Sequence, residues 1–265
     1  MSFTKSARIL AIGLMLHWKR LLEYRLNLAF DLLLRLVDSV TFFMFWAVIL
    51  ASSNGFAGWG LKEFLIVFAL ESYFTALVIS FAYAGLYMYE RIHNAELDSF
   101  LTKPAQPWLL AIVKGIEPSF AGFISGTAAL ALAFTQGISM QPLALLLGLF
   151  MVLLGVAITA LFGLSLATLS FWLGRMDSLE SVFESFWSFG GKPASIFPIG
   201  LQVLTAFTFP FIFIQTIPTM AILDKIPVQE MLLFILAEFI VLIAWIFAFK
   251  FLWKKGLRNY ESGGG

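Results

Sequence analysis

The chain has 265 residues, 60% of them hydrophobic and 12% charged, with 30 phenylalanines, no cysteine and a formal net charge of +1. Soluble domains carry about 25% charged residues, so this composition excludes one and points to a polytopic membrane protein. The missing cysteine removes disulfides, iron–sulfur clusters and thiolate zinc sites, and continuous rather than alternating apolar runs exclude a β-barrel.

Residues 3–25 read as an amphipathic helix. His17, Arg20, Tyr24 and Asn27 recur at helical spacing with Leu14, Trp18, Leu21 and Leu22 between them. Lys5, Arg8, Lys19, Arg20 and Arg25 make the segment basic, which suits a helix lying in the plane of an anionic leaflet. The apolar run from Ile9 to Leu16 is short and has no small-x-small cleavage site after it, so no secretory signal is expected.

Six membrane spans follow, predicted at 28–51, 64–88, 111–135, 143–173, 199–222 and 229–252. A bilayer needs about 20 apolar residues per helix, which these runs supply. Loops 52–61, 136–141 and 224–229 fall on one side, and segments 90–108 and 174–198 on the other. Fifteen Lys and Arg residues lie on or near the side of the N-terminus, Arg35, Arg91, Lys103, Lys114, Arg175 and Lys192 among them, against Lys62 and Lys225 opposite. The positive-inside rule then puts both termini in the cytoplasm.

The segment 90–108 is the longest charged interruption, and 94–103 within it is predicted as a short helix. Asn94 is a good N-cap, Glu96 and Asp98 favour the first turn, Lys103 the last, and Pro104 stops the helix. Leu97, Phe100 and Leu101 fall at i, i+3, i+4 and form an apolar knob. Two readings stand at this point: a helix lying on the lipid surface, or a coupling helix, a cytoplasmic peg that docks into a separate motor protein.

In 174–198, Asp177 and Glu180 open a second helix on which Leu179, Val182, Phe183, Phe186 and Trp187 share one face, ending at Gly190-Gly191 and Pro193. A helix lying on the membrane surface is the simple expectation. Polar groups within the spans carry a cost in lipid and need individual accounts. Asp31, Arg35 and Asp38 form a ridge at the cytoplasmic membrane edge, paired internally or facing a partner. Glu71 and Glu238 are expected to be hydrogen-bonded structural groups, with ion or substrate ligation as the alternative, and Glu117 to pair with Lys114 three residues before it. On the fifth span Thr205, Thr208, Gln215 and Thr219 make one polar stripe, with Pro210 and Pro218 bending the helix. Such a stripe is either glue between helices or the wall of a translocation route.

Enzyme signatures are missing. Two distant histidines, His17 and His93, do not make a metal site or a catalytic pair, and no P-loop pattern exists. No catalytic residue, metal site or bound cofactor is therefore expected. Any ATP-driven motor must be another polypeptide.

Several stretches, in this order, resemble the ABC-2 type permeases, in the six-span branch of ABC-2 family transporter proteins. They are Tyr24 to Asn27, Glu96 to Pro104, Ser170-Phe171-Trp172, Phe189 to Pro198, Phe209 to Pro218, and Leu257 to Gly263. Phe189-Gly190-Gly191-Lys192-Pro193 departs from the pattern, which has a more basic or aromatic residue before the proline. The resemblance spans nearly the whole chain and implies one transmembrane permease domain over 1–265: an elbow helix at 3–25, six spans and a coupling helix at 94–103. It further implies a bacterial-type inner membrane, a second permease (identical or sister), and separate P-loop ATPase subunits that carry ATP and Mg. Leu97, Phe100 and Leu101 would then fill the ATPase groove, with Glu96, Asp98 and Lys103 at its rim. Most relatives export or flip hydrophobic or amphipathic molecules. The competing expectation is an ion-coupled secondary transporter that depends on Glu71 or Glu238.

Overall fold

In the computed structural model, which describes residues 3–52, 59–174, 176, 178–192 and 194–260, the regular elements are helices. Long apolar runs free of internal proline give α2 (Arg25–Ser52), α3 (Leu61–His93), α7 (Pro142–Leu173) and α11 (Val228–Asn259). Each of these is long and apolar enough to cross a membrane. A backbone that satisfies its own hydrogen bonds is what a lipid interior demands.

α1 (Phe3–Glu23) joins α2 through a turn at Tyr24. It leans on α5 (Pro107–Gly115), where Gly13 meets Val113 so closely that a Cβ would stand 2.2 Å from its Cγ1. His17 Nε2 lies 2.8 Å from the Val113 carbonyl, and Trp18 packs edge-on to Phe120 at 5.6 Å. α4 (Glu96–Leu101) is the short helix between α3 and α5.

The structure corrects the expected third span. Residues 111–135 are not one helix but the end of α5 and the whole of α6 (Ala121–Thr135), separated by an extended stretch around Pro118. A residue before proline is pushed out of the helical region, and Gly115 weakens the turn before it. The freed backbone is satisfied by α3: Ser119 N–H donates to Ser80 Oγ at 2.9 Å, and Glu117 N–H to the Ser80 carbonyl at 3.4 Å. α3 makes this possible by a π-turn at Val78–Ala82, which reorients Ser80.

α7 is the central post, with α3 on one side and α11 on the other, and α6 packs along the outer half of α3. The loops expected on one side do meet. Lys225 Nζ bridges to Glu63 Oε1 at 2.8 Å, and Gln141 N–H donates to the Ile222 carbonyl at 3.0 Å.

The remaining departures concern 174–222. α8 (Leu179–Trp187) packs Leu179 and Phe183 into the body while Ser181, Val182, Glu184 and Ser185 stay exposed, and α9 (Ile199–Thr208) meets α10 (Ile212–Ile222) at 92° instead of continuing as one rod. Phe209 is extended and Pro210 lacks the N–H a continuous helix would use, so the chain turns there. Asp177, Pro193, Arg175, most of loop 52–61 and the tail 261–265 lie outside the described residues.

Candidate functional site

Three features stand out around this frame: a peg, an inserted segment and a polar cleft. The peg is α4. Its N-terminal boundary is Ala95, in the left-handed region at φ 57°, and not Asn94, which closes the preceding turn of α3. Leu97 and Phe100 turn inward and are buried against the chain's own core, at 0% and 4% exposure, so the apolar knob is not a free surface. The helix is only six residues long and packs on both α5 and the end of α3, which leaves one side outward. Leu101 is exposed at 44%, together with Glu96, Ser99, Thr102, Lys103 and Pro104.

The peg is braced from below. Lys114 Nζ bonds Glu96 Oε2 at 2.7 Å, so its partner is Glu96 and not the expected Glu117. That hydrogen bond holds the Glu96 carboxyl below its ordinary range. Lys103 and Lys114 flank the Phe100 ring at 5.3 and 5.9 Å. Arg91 donates from Nη1 to the Ala111 carbonyl, locking the end of α3 to α5. At the C-terminus of α11, burial and then the nearby Asp98 push the Tyr260 hydroxyl up to about 12.

The inserted segment runs from α8 to α9. Leu179 and Phe183 are buried, and Phe183 sits 4.6 Å from Phe209 and 6.2 Å from Phe162. Trp187 stacks on Phe74 of α3 at 5.7 Å and 11°. The chain then turns at Gly190 and Gly191. Gly191 has φ +70°, and a Cβ there would meet the Phe42 ring at 2.4 Å, so glycine is required twice over. A Cβ at Gly190 would stand 2.7 Å from Glu71 Oε1. The Lys192 carbonyl belongs to this turn, and its Nζ donates to the Ser188 carbonyl at 3.0 Å.

The four polar residues of the fifth span do not make one stripe. Thr205 and Thr208 lie on α9 and bond the carbonyls of Leu201 and Leu204, whereas Gln215 and Thr219 lie beyond the bend on α10. A π-turn at Ile212–Thr216 breaks the helical phase on which the stripe depended. Gln215 instead holds the inserted segment: its Nε2 donates to the Lys192 carbonyl at 3.1 Å, and Thr216 Oγ1 accepts from Ala194 N–H at 2.8 Å. All four side chains are buried.

The cleft lies between α2, α3 and the inserted turn, with a volume of about 390 Å³. α2 and α3 run antiparallel. The register that sets Phe42 against Phe68 and Trp46 against Phe64 brings Arg35, Asp38 and Ser39 to face Glu71, Ser72 and Thr75. The aromatic half of the pair is closed by ring contacts, while the polar half lines the open cleft. Arg35 Nε bonds Asp31 Oδ1 at 2.8 Å, the internal pairing expected of the ridge, and Arg35 and Asp38 also line this cleft.

Glu71 and Glu238 are both buried, and neither is fully hydrogen-bonded as expected. Glu71 Oε1 accepts from Thr75 Oγ1 at 3.2 Å, while Oε2 has no partner among the described residues. Neither oxygen of Glu238 has one. Sequence reasoning missed Ser72, Ser119, Ser188 and the glycine pair as neighbours of Glu71. Their signal, small residues at positions that face one another, exists only once the register of α2 on α3 is known.

An all-helical body with several membrane-length apolar helices defines an integral membrane protein. The sequence matches the model of the ABC-2 family transporter proteins over residues 36–264, and the chain belongs to that family. It is thus a membrane-embedded permease of an ABC transporter. No curated protein and no solved structure matches the sequence.

Proposed function

We propose that this permease is the membrane half of an ABC exporter, driven by separate P-loop ATPase subunits that bind the α4 peg. The observation that carries this reading is the construction of the peg: a short helix anchored by Leu97 and Phe100, braced by Lys114 and Arg91, and presenting Leu101, Lys103 and Pro104 outward. A lever that transmits force needs a rigid base and a free tip. Leu101 enters the ATPase groove, and Glu96, Lys103 and the neck at Pro104 meet its rim.

In this arrangement the chain crosses the membrane six times, with α5–α6 as a broken third span and α8–α10 as a broken fifth. α1 lies along the inner surface as an elbow, and both termini are cytoplasmic. α2 exposes Leu26, Phe30, Leu33, Leu34, Val37 and Val40 along one side, and α9 exposes Ile199, Val203 and Phe207. These faces serve the second permease, a copy or a sister, and the surrounding lipid. Closure of the ATPases pushes on the peg, and through α3 and α5 moves the helices around the cleft to release a hydrophobic or amphipathic substrate outward.

A pull-down of the full chain in mild detergent tests this. A P-loop ATPase should accompany the wild type and be lost when Leu101→Asp is combined with Lys103→Glu, while both forms insert in the membrane equally well. An ion-coupled transporter would come down without an ATPase, and its transport would depend on Glu71 or Glu238 and ignore ATP.

A further inference from the structure

The last helix, α11, keeps one face against the body and leaves the other uncovered. Its inner side buries Ile235, Glu238, Val241, Phe249, Trp253 and Gly256. There Phe249 meets Trp108 at 5.8 Å and Trp253 meets Phe171 at 5.7 Å. Opposite to them Leu233, Leu236, Ile240, Ile243, Phe247 and Phe251 are exposed and follow one another at helical spacing. From Met231 to Phe249 the helix rises about 28 Å, close to the thickness of a hydrocarbon core, so this stripe is a surface for acyl chains.

The helix continues past that length to Asn259, and the same outward face then changes character. Lys250, Lys254, Lys255 and Arg258 occupy it, all exposed, within an arc of about 140° and over about 12 Å of rise. No carboxylate of α11 shares the face: Glu230 stands in the first turn, and Glu238 is on the buried side. Among the described residues none of the four cations has an ion-pair partner, and Lys255 Nζ lies over the Phe251 ring at 4.4 Å. Two simpler roles account for only part of this. The negative end of a helix attracts a cation in its last turn, which covers Arg258 but not the three lysines before it. Lysines that only reach for water at a membrane edge need no common face. An apolar stripe that ends, in register, in an unpaired basic stripe matches a phospholipid, with its chains along the one and a negative head on the other.

We infer that the outward face of α11 from Ile240 to Arg258 is a binding site for an anionic phospholipid. Lys250, Lys254, Lys255 and Arg258 hold the phosphate head, and an acyl chain lies along Ile240, Ile243 and Phe247. Neither the peg nor the cleft takes part, so the site stands whether or not an ATPase drives the permease. The chain contact separates it from a site for free phosphate, which the cations alone would serve.

The test uses the full chain, freed of native lipid in a non-ionic maltoside detergent. Synthetic phosphatidylglycerol or phosphatidylcholine with identical chains is added, and bound lipid is counted by native mass spectrometry. Wild type should retain phosphatidylglycerol in preference to phosphatidylcholine. Lys250→Gln, Lys254→Gln and Lys255→Gln combined should weaken phosphatidylglycerol binding by about fivefold per lysine and leave phosphatidylcholine unchanged. The same three lysines changed to arginine should bind as wild type does, and so should Lys62→Gln, on the side of the molecule where α11 begins. A photoactivatable phosphatidylglycerol added to wild type covers the case in which the glutamine variant fails to insert, and its label should map to residues 240–258. Label confined to other helices, equal retention of the two lipids, or equal phosphatidylglycerol binding by wild type and the glutamine variant would overturn the assignment. Displacement of the lipid by inorganic phosphate would overturn it too, by marking a simple anion site.

Discussion

The two segments between spans on the basic side, 94–104 and 179–198, look alike as sequence and end in different places. Each has a short helix with apolar residues at i, i+3 and i+4, a carboxylate in the first turn, and a proline beyond. α4 stays outside and buries only its inner face. α8 sinks its inner face deeper into the body, with Phe183 fully buried among Phe162, Phe209 and Tyr83, while Ser181, Val182, Glu184 and Ser185 stay exposed. What separates them is the size of the apolar payload and the hole available to receive it. α8 carries Phe183, Phe186 and Trp187, and opposite them α7 offers Gly163 and α3 offers Phe74. α4 carries one phenylalanine and is fenced by Lys103 and Lys114. An amphipathic period tells which face is buried but not against what.

The contrast can be broken most severely at Phe183. Phe183→Ala should cost about 4 kcal/mol, in the range for deleting a buried aromatic ring. It should show as a large drop in the thermal midpoint in detergent, because the inserted segment loses its central anchor. Leu97→Ala attacks the corresponding anchor of the peg, and a loss of about 3 kcal/mol is expected. Its signature differs, since protease should reach 94–106 first while the rest of the body stays protected. Were α4 merely lying on lipid, Leu97→Ala would leave the thermal midpoint where it was.

Smaller changes sharpen the same comparison. Ala95 holds a left-handed conformation that costs an L-residue about 1 kcal/mol or more, so Ala95→Gly should stabilise the entrance to the peg by about that amount. Hydrogen exchange at Glu96–Leu101 would register the gain as slower exchange. Smallest is the Lys114–Glu96 pair, exposed at 57% and 43% and therefore worth less than about 1 kcal/mol. Its sign is fixed by the depressed Glu96 value. The contribution is present above the ordinary carboxylate value of 4.5 and is lost as pH falls through the lower folded value. Glu96→Gln should flatten that acid limb slightly and leave the midpoint at neutral pH nearly unmoved.

Span existence was largely legible, because twenty apolar residues in a row admit few other fates. α2, α3, α7 and α11 fall where hydropathy places them. Interruptions were less so. Pro118 and Pro210 are both visible in the sequence, yet a proline in a lipid-embedded helix gives either a kink or a break. The outcome turns on whether a neighbour such as Ser80 satisfies the freed backbone. The polar stripe of the fifth span failed for a related reason: it assumed 3.6 residues per turn through Phe209, the Pro210 bend and a π-turn. The cleft was legible only as its separate parts. Arg35, Asp38 and Glu71 each stand out as charges within apolar runs, but their meeting depends on an antiparallel register set by Phe42 on Phe68 and Trp46 on Phe64.

The most direct test places a photo-crosslinking amino acid at two exposed leucines, Leu101 on the peg and Leu204 on α9, in cells that express the full chain. With the peg as the motor's handle, the crosslinker at 101 should capture a water-soluble P-loop ATPase, and the one at 204 should capture lipid or a second permease but no ATPase. An ATPase caught at 204, or none at 101 while the permease is otherwise intact, would contradict the account.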